Sequence, residues 1–152
     1  MVPPSEHHRA RRLALQGLCA LDVQGEKALG GVLAFLRDSR ERLSTVAEAE
    51  KMLQAAFAAR TESDRLLAGE SRHWDVARMS LVDRNILRLA LWELRAGRTR
   101  KKVIMAEAIR LAKEFATAES ARFVNGVLDA AARRLERQSG DAGDAGDEEA
   151  KN

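Results

Sequence analysis

The stretch Arg122-Phe123-Val124-Asn125-Gly126-Val127-Leu128-Asp129 shows the pattern that decides the fold. At 3.6 residues per turn, its aliphatic side chains fall on one stripe and its polar side chains fall opposite them. The apolar stripe comprises Ala121, Val124, Leu128, Ala131 and Leu135, and the polar side comprises Arg122, Asn125, Asp129 and Arg133. Phe123 lies on the shoulder of the stripe, beside Arg122. The pattern predicts an amphipathic helix with an aromatic ring at the edge of its buried face.

The composition extends this prediction to the whole chain. Of the 152 residues, 27 are Ala and 19 are Leu, against 16 for Val, Ile and Thr together, and the only prolines are Pro3 and Pro4. Helix formers without interior proline indicate an all-α fold, and the length suits one domain. The single cysteine, Cys19, cannot form an internal disulfide, which is typical of a reducing cytoplasm.

Spacing and capping signals predict about seven helices in a domain spanning residues 1–137, followed by a tail at 138–152. We expect the helices at about 5–23, 26–39, 45–59, 61–69, 82–96, 102–115 and 118–137. Thr45, Thr61 and Thr117 are expected to cap the third, fourth and last helices, and a short turn is expected around Trp74. The tail repeats Gly, Asp and Ala, has no large apolar side chain, and is therefore predicted to be disordered.

The net charge of +3 conceals an asymmetry between these two parts. The tail holds five acids and one lysine, net −4, so the other 137 residues carry +7. A basic body with an acidic tail points to a polyanionic partner, most often nucleic acid. The alternative is that the positive charge only keeps the domain soluble.

The first helix carries a cationic ridge. Arg9, Arg12 and Gln16 share one face by their spacing, and Arg11 adds a further donor near the frayed start. Such a ridge suits phosphates, although a solvated basic face has the same pattern. The adjacent His7 and His8 point about 100° apart on a helix, so no metal site is expected.

Two other positions invite a functional interpretation. Phe123 beside Arg122 can stack on an unpaired base while the arginine meets a phosphate, or the ring can pack under a neighbouring helix. In the fifth helix, Arg84 and Arg88 form part of a second polar stripe, with Asp83 at the helix start. The helix dipole alone is a sufficient structural reason for that carboxylate.

The sequence contains none of the motifs that would indicate an enzyme or a membrane protein. A phosphate-binding glycine loop, a zinc-protease motif and a nucleophile elbow are all absent from it. No apolar run approaches the roughly 18 residues of a membrane span, and the start lacks a signal peptide. The chain is therefore expected to be a cytoplasmic, non-enzymatic protein without a cofactor.

Four linked segments then resemble a known family, the bacterial transcription antitermination factors of the NusB family. The segments are 82–94 (VDRNILRLALWEL), 102–103 with 107–115 (KV and EAIRLAKEF), 120–129 (SARFVNGVLD) and the opening 14–18 (ALQGL). Together they place the similarity over about residues 8–136. Four motifs in the right order are far more specific than any one of them.

The resemblance implies a compact bundle of about seven helices in two subdomains. It also implies binding of single-stranded boxA RNA from ribosomal RNA leaders, a complex with the small-subunit ribosomal protein NusE, and entry into the RNA polymerase antitermination complex. The implied RNA-side residues are Arg9, Arg11, Arg12, Gln16, Arg122 and Phe123. The implied partner-side residues are Asp83, Arg84 and Arg88.

The chain departs from the family pattern at a few positions. Cys19 and Trp92 stand where tyrosine is common, Ala106 stands where asparagine is usual, and the acidic tail is an addition. Two other functions remain open on the residues alone. The chain can be a helical protein-interaction module with an incidental basic face, or an accessory to an enzyme that modifies ribosomal RNA.

Overall fold

The computed structural model describes residues 4–69 and 75–150, with side chains described in 5–69 and 75–140. Within these ranges the chain forms seven α-helices and no strand. The helices are α1 (Pro4–Gln24), α2 (Leu29–Arg37), α3 (Leu43–Ala58), α4 (Arg60–Ala68), α5 (Leu81–Ala96), α6 (Lys101–Phe115) and α7 (Ala118–Ala150), with 3₁₀ turns at Glu26–Ala28 and Val76–Arg78. The all-α prediction is confirmed, and the predicted turn around Trp74 lies outside the described residues.

Helix α5 joins two groups of helices. On one side α1 packs along α3 with α2 against both, and on the other α6 and α7 pack along each other. Helix α5 contacts α1, α3, α4, α6 and α7, so one continuous core runs through the molecule. Gly17 permits the close approach of α1 and α3, because a Cβ there would lie 2.9 Å from a methyl of Leu53.

Helix α7 confirms the stripe inferred from its sequence. Ala121, Val124, Leu128 and Ala131 are buried, and Leu135 is partly buried at the far end. Phe123 is half-buried and packs against the same core. The ring therefore lies at the edge of the buried face, as the spacing predicts.

The three predicted threonine caps differ in outcome. The predicted cap at Thr61 is wrong, because α4 begins at Arg60 and no side chain caps its start. Thr117 caps α7, since its Oγ1 accepts a hydrogen bond from the Ser120 N–H at 3.0 Å. The predicted cap at Thr45 is wrong, because α3 begins at Leu43 and Thr45 is completely buried inside the helix. The start of α3 is tied instead to α1, where Arg42 pairs with Glu6 at 2.8 Å.

The last helix also extends beyond its predicted end. We expected α7 to stop near residue 137, but its helical backbone continues to Ala150. Residues 136–140 of this extension are all exposed. Extending a formed helix costs much less than nucleating one, so a tail without proline can continue it despite its glycines.

Candidate nucleic-acid interface

The outer face of α1 carries the predicted ridge of Arg9, Arg12 and Gln16, and all three side chains are exposed. Arg12 is 48% exposed and its Nε lies 3.1 Å from a carboxylate oxygen of Glu114. Arg9 lies 3.8 Å from Glu41. Exposed ion pairs of this kind contribute only about 0–1 kcal/mol. A phosphate can therefore replace either carboxylate at little cost.

Arg12 also connects this ridge to the turn between α6 and α7. Its guanidinium carbon lies 5.7 Å from the ring centroid of Phe115, within the range of a cation–π contact. Phe115 is the last residue of α6, and a two-residue turn leads from it to α7. Our sequence reasoning missed Phe115, whose only local signal is an aromatic ring at a helix end.

Arg122 and Phe123 lie in the first turns of α7, after this turn. Arg122 is exposed, and no hydrogen bond or ion pair joins it to a residue that the structure describes. Phe123 packs on the core and keeps part of its ring accessible. The packing and stacking interpretations of Phe123 are therefore compatible.

Arg11 lies on the inner side of α1 and is only 5% exposed. Its Nε and Nη2 donate to the Glu93 carboxylate at 2.9–3.2 Å. Burial acts to lower the pKa of Arg11, but the hydrogen bond and charge of Glu93 outweigh it, so the pKa is raised. Arg11 thus joins α1 to α5 through a buried ion pair. This corrects the expectation that Arg11 adds a free donor near the start of α1.

His8 makes a second connection that the sequence did not reveal. The ring is buried, with Nδ1 at 2.6 Å from Glu107 and Nε2 at 2.7 Å from Glu114. Each ring nitrogen thus lies within hydrogen-bond distance of a different carboxylate of α6. His8 therefore holds α1 on α6 and fixes Glu114, the carboxylate that also contacts Arg12.

The second polar stripe on α5 is not an open surface, because Arg88 is buried and Arg84 is half-buried. Arg88 donates through Nε and Nη2 to both carboxylate oxygens of Asp64, each at 2.8 Å, and its Nη1 lies 3.2 Å from Asp22. Arg84 reaches Asp22 at 2.8–2.9 Å and also donates to two backbone carbonyls before α5. Both side chains bind neighbouring elements because α5 is enclosed by other helices.

Asp22 is the centre of this arrangement. Burial acts to raise its pKa, but hydrogen bonds from Asn85 and Arg84 and the charge of Arg88 outweigh burial, so the pKa is lowered. Burial and the nearby Asp22 raise the pKa of the Cys19 thiol to about 11. The thiol is therefore protonated and unreactive at neutral pH.

Asp83 begins α5 beside this arrangement and is almost fully buried. Its N–H donates to Ser80 Oγ at 3.1 Å, and its Oδ2 accepts from the Ser120 hydroxyl at 3.4 Å. Oδ1 is buried without a partner among the described residues. Asp83 thus joins the start of α5 to the start of α7, two residues before Arg122.

Comparison with known proteins decides the family. The NusB family model matches residues 8–133. The chain belongs to the NusB family. The transcription antitermination protein NusB of Symbiobacterium thermophilum is 40% identical over 141 residues, which cover 87% of this chain and 92% of that protein. The family resemblance stated from the sequence motifs is confirmed.

Solved structures share the arrangement of helices. Thermotoga maritima NusB superposes with a TM-score of 0.76 at 29% identity, covering 88% of this chain and 93% of that one. A structure of the antitermination factors NusB and NusE in complex with double-stranded RNA gives a TM-score of 0.73, covering 87% of this chain and 99% of that one. Its identity of 24% makes this a likeness of fold.

Three departures from the family pattern can now be placed in the structure. Cys19 is half-buried with its Sγ 3.9 Å from the Leu81 carbonyl, and Trp92 is half-buried at a cleft between helices. Ala106 is exposed on α6.

None of the helices described here is long and apolar enough to cross a membrane.

Proposed function

We propose that this chain is a non-enzymatic, cytoplasmic RNA-binding adaptor in transcription antitermination. It binds single-stranded boxA RNA of ribosomal RNA leaders through the outer face of α1 and the start of α7. It pairs with the ribosomal protein NusE and joins the RNA polymerase antitermination complex. Family membership supports this proposal, and a structure of the same fold holds NusE and RNA together.

The observation that carries the RNA part is the ridge of Arg9, Arg12 and Gln16 beside Phe115. It combines exposed cations in weak ion pairs with an aromatic ring. In proteins that bind single-stranded RNA, such cations contact the phosphates and such rings stack on the bases. Arg122 and the open part of Phe123 extend the surface along the chain into α7.

For the partner we propose the end of the molecule where α1 meets the start of α5. Val23 is one of the most exposed large apolar side chains there and follows Asp22. Asp83 takes part by fixing the helix start, because its own carboxylate is buried. Its contact with Ser120 links this end to Arg122, so NusE binding can order the RNA surface.

Fluorescence anisotropy with labelled boxA RNA and a scrambled RNA of the same composition tests this function. Alone, the chain should bind both RNAs weakly and with similar affinity, because the contacts are mainly electrostatic. Adding NusE should strengthen binding of boxA RNA more than that of the scrambled RNA. If NusE leaves both affinities unchanged, the proposed function is wrong.

A further inference from the structure

A cleft of about 830 Å³ lies between α1, α3, α5 and α6, on the other side of α1 from the RNA ridge. His7 and Arg11 line the cleft. On a helix these positions point roughly 100–180° away from Arg9, Arg12 and Gln16. RNA bound to the outer face of α1 therefore leaves the cleft open.

One wall of the cleft is apolar. Trp92 is half-buried there, and its indole N–H donates to no residue that the structure describes. Met52 lies beside the cleft, and Val103 at its rim is 44% exposed. Tryptophan is enriched at the centres of protein interfaces, and methionine adapts its shape to a bound side chain. The wall can therefore hold an apolar side chain of a partner.

The charges around the cleft are divided between mouth and floor. Three exposed cations at the mouth have no ion-pair partner among the described residues, namely Lys51, Arg98 and Arg100. The carboxylates of the floor are paired, Glu48 with His7, Glu93 with Arg11 and Glu107 with His8. The mouth thus offers unpaired positive charge, whereas each carboxylate of the floor already contacts a basic side chain.

This division favours a protein segment over RNA as the occupant. An RNA strand carries a phosphate at every nucleotide, and some of these would meet Glu48 and Glu107 on the floor of the cleft. A peptide can place carboxylates only where the cations stand and an apolar side chain between them. The acidic tail of this chain is a poorer fit, since alanine is its largest apolar residue.

We propose that this cleft binds a short acidic segment of a partner protein. One apolar side chain of the segment packs against Trp92 and Val103, and its carboxylates pair with Lys51, Arg98 and Arg100. Because the RNA ridge faces away, the chain can hold this segment and RNA at the same time. The cleft is then a second, independent attachment point of the adaptor.

Selection from a displayed library of random dodecapeptides on the full chain tests the proposal. Enriched peptides should contain at least two acids and one aromatic or leucine side chain. Their affinity should fall about tenfold in the Arg98→Gln/Arg100→Gln variant, which loses two ion pairs. The matched control is Arg37→Gln/Arg78→Gln, which removes two exposed arginines on other elements and should bind as the unchanged chain does.

Several results would overturn the proposal. These are no enrichment, enriched peptides without acids, or equal binding to the Arg98→Gln/Arg100→Gln variant. If decauridylate RNA displaces the peptide, the occupant of the cleft is RNA. If the unchanged chain self-associates and the Arg98→Gln/Arg100→Gln variant does not, the occupant is a second copy of the chain. If deleting residues 138–152 raises the affinity for the peptide roughly tenfold, the occupant of the cleft is the tail. Screened charges alone would change that affinity only slightly. None of these results depends on boxA RNA or NusE, so the test is separate from that of the proposed function.

Discussion

Similar helical spacing leads to different roles for Arg9 and Arg12 on α1 and for Arg84 and Arg88 on α5. Arg12 on α1 is 48% exposed and borders Phe115, whereas the side chain of Arg88 on α5 is 9% exposed and bound to Asp64. The difference comes from the neighbours: the outer face of α1 is open, while α5 contacts five other helices. A polar stripe forms a binding surface only where its helix lies at the edge of the fold.

The largest effect should come from breaking the buried side of this comparison. Arg88→Ala should lower the free energy of unfolding by about 3 kcal/mol, because Asp64 loses its cation and Asp22 keeps only Arg84. This is the lower end of the range for buried pairs, since Asp64 retains 30% exposure. Urea denaturation measures it. Arg12→Ala is the control and should change stability by less than about 0.5 kcal/mol, so equal losses in the two variants would contradict the assignment.

Asp22 adds a pH dependence to the same cluster. Its pKa is lower in the folded chain than the ordinary value of 3.8, so its contribution is complete above that value and is lost as pH falls through the folded pKa. Asp22→Asn should cost about 2 kcal/mol at neutral pH, since it weakens hydrogen bonds to charged groups. Urea midpoints between about pH 5 and pH 2 should then fall less steeply in the variant than in the unchanged chain. Parallel acid profiles would show that another carboxylate is responsible.

Phe123 sharpens the comparison, because it belongs to both the core and the surface. Phe123→Ala should weaken RNA binding by about 1–3 kcal/mol, the value of one stacked base. The free energy of unfolding of this variant should fall by less than the roughly 3–5 kcal/mol that Phe→Ala costs at a fully buried position. Phe123→Leu is the matched control, since it keeps most of the packing and loses the aromatic face. If Phe123→Leu binds RNA normally, the ring has no stacking role.

The smallest effect should come from the tail. Lys101 at the start of α6 contacts Glu136 at 2.9 Å, so the tail leaves the fold near the end of α6 opposite Phe115. Fourteen helical residues put Arg122 roughly 21 Å from that point. Deleting residues 138–152 should therefore change RNA affinity by no more than about twofold, mainly at low salt. A larger gain at low ionic strength would mean that the tail folds back onto the RNA surface.

The sequence predicted the helices and their buried stripes well because these depend on local periodicity. Thr117 was a correct cap because it is exposed, and its hydroxyl meets an N–H only three residues away. Thr45 has the same local signature, but packing buried it completely and moved the helix start. Thr61 is exposed and also failed as a cap, because α4 begins one residue earlier, at Arg60. Local rules thus predict that a helix exists more reliably than they predict its first residue.

The candidate site was predictable only in part, for a related reason. Spacing places Arg9, Arg12 and Gln16 on one face, and that face is indeed exposed. Spacing cannot show that Arg11 meets a carboxylate 82 residues away, or that His8 meets two carboxylates 99 and 106 residues away. Such partners are defined by tertiary packing and leave no signal in the neighbouring sequence.

The most direct test of the RNA surface is the salt dependence of RNA binding in Arg9→Gln/Arg12→Gln. For the unchanged chain, neutralising about four phosphates gives a log–log slope of roughly −3. The double variant should retain its stability and show a slope shallower by about 1.4, while Arg37→Gln/Arg78→Gln should keep the original slope. An unchanged slope in Arg9→Gln/Arg12→Gln would contradict the account, because the exposed face of α1 would then hold no phosphate.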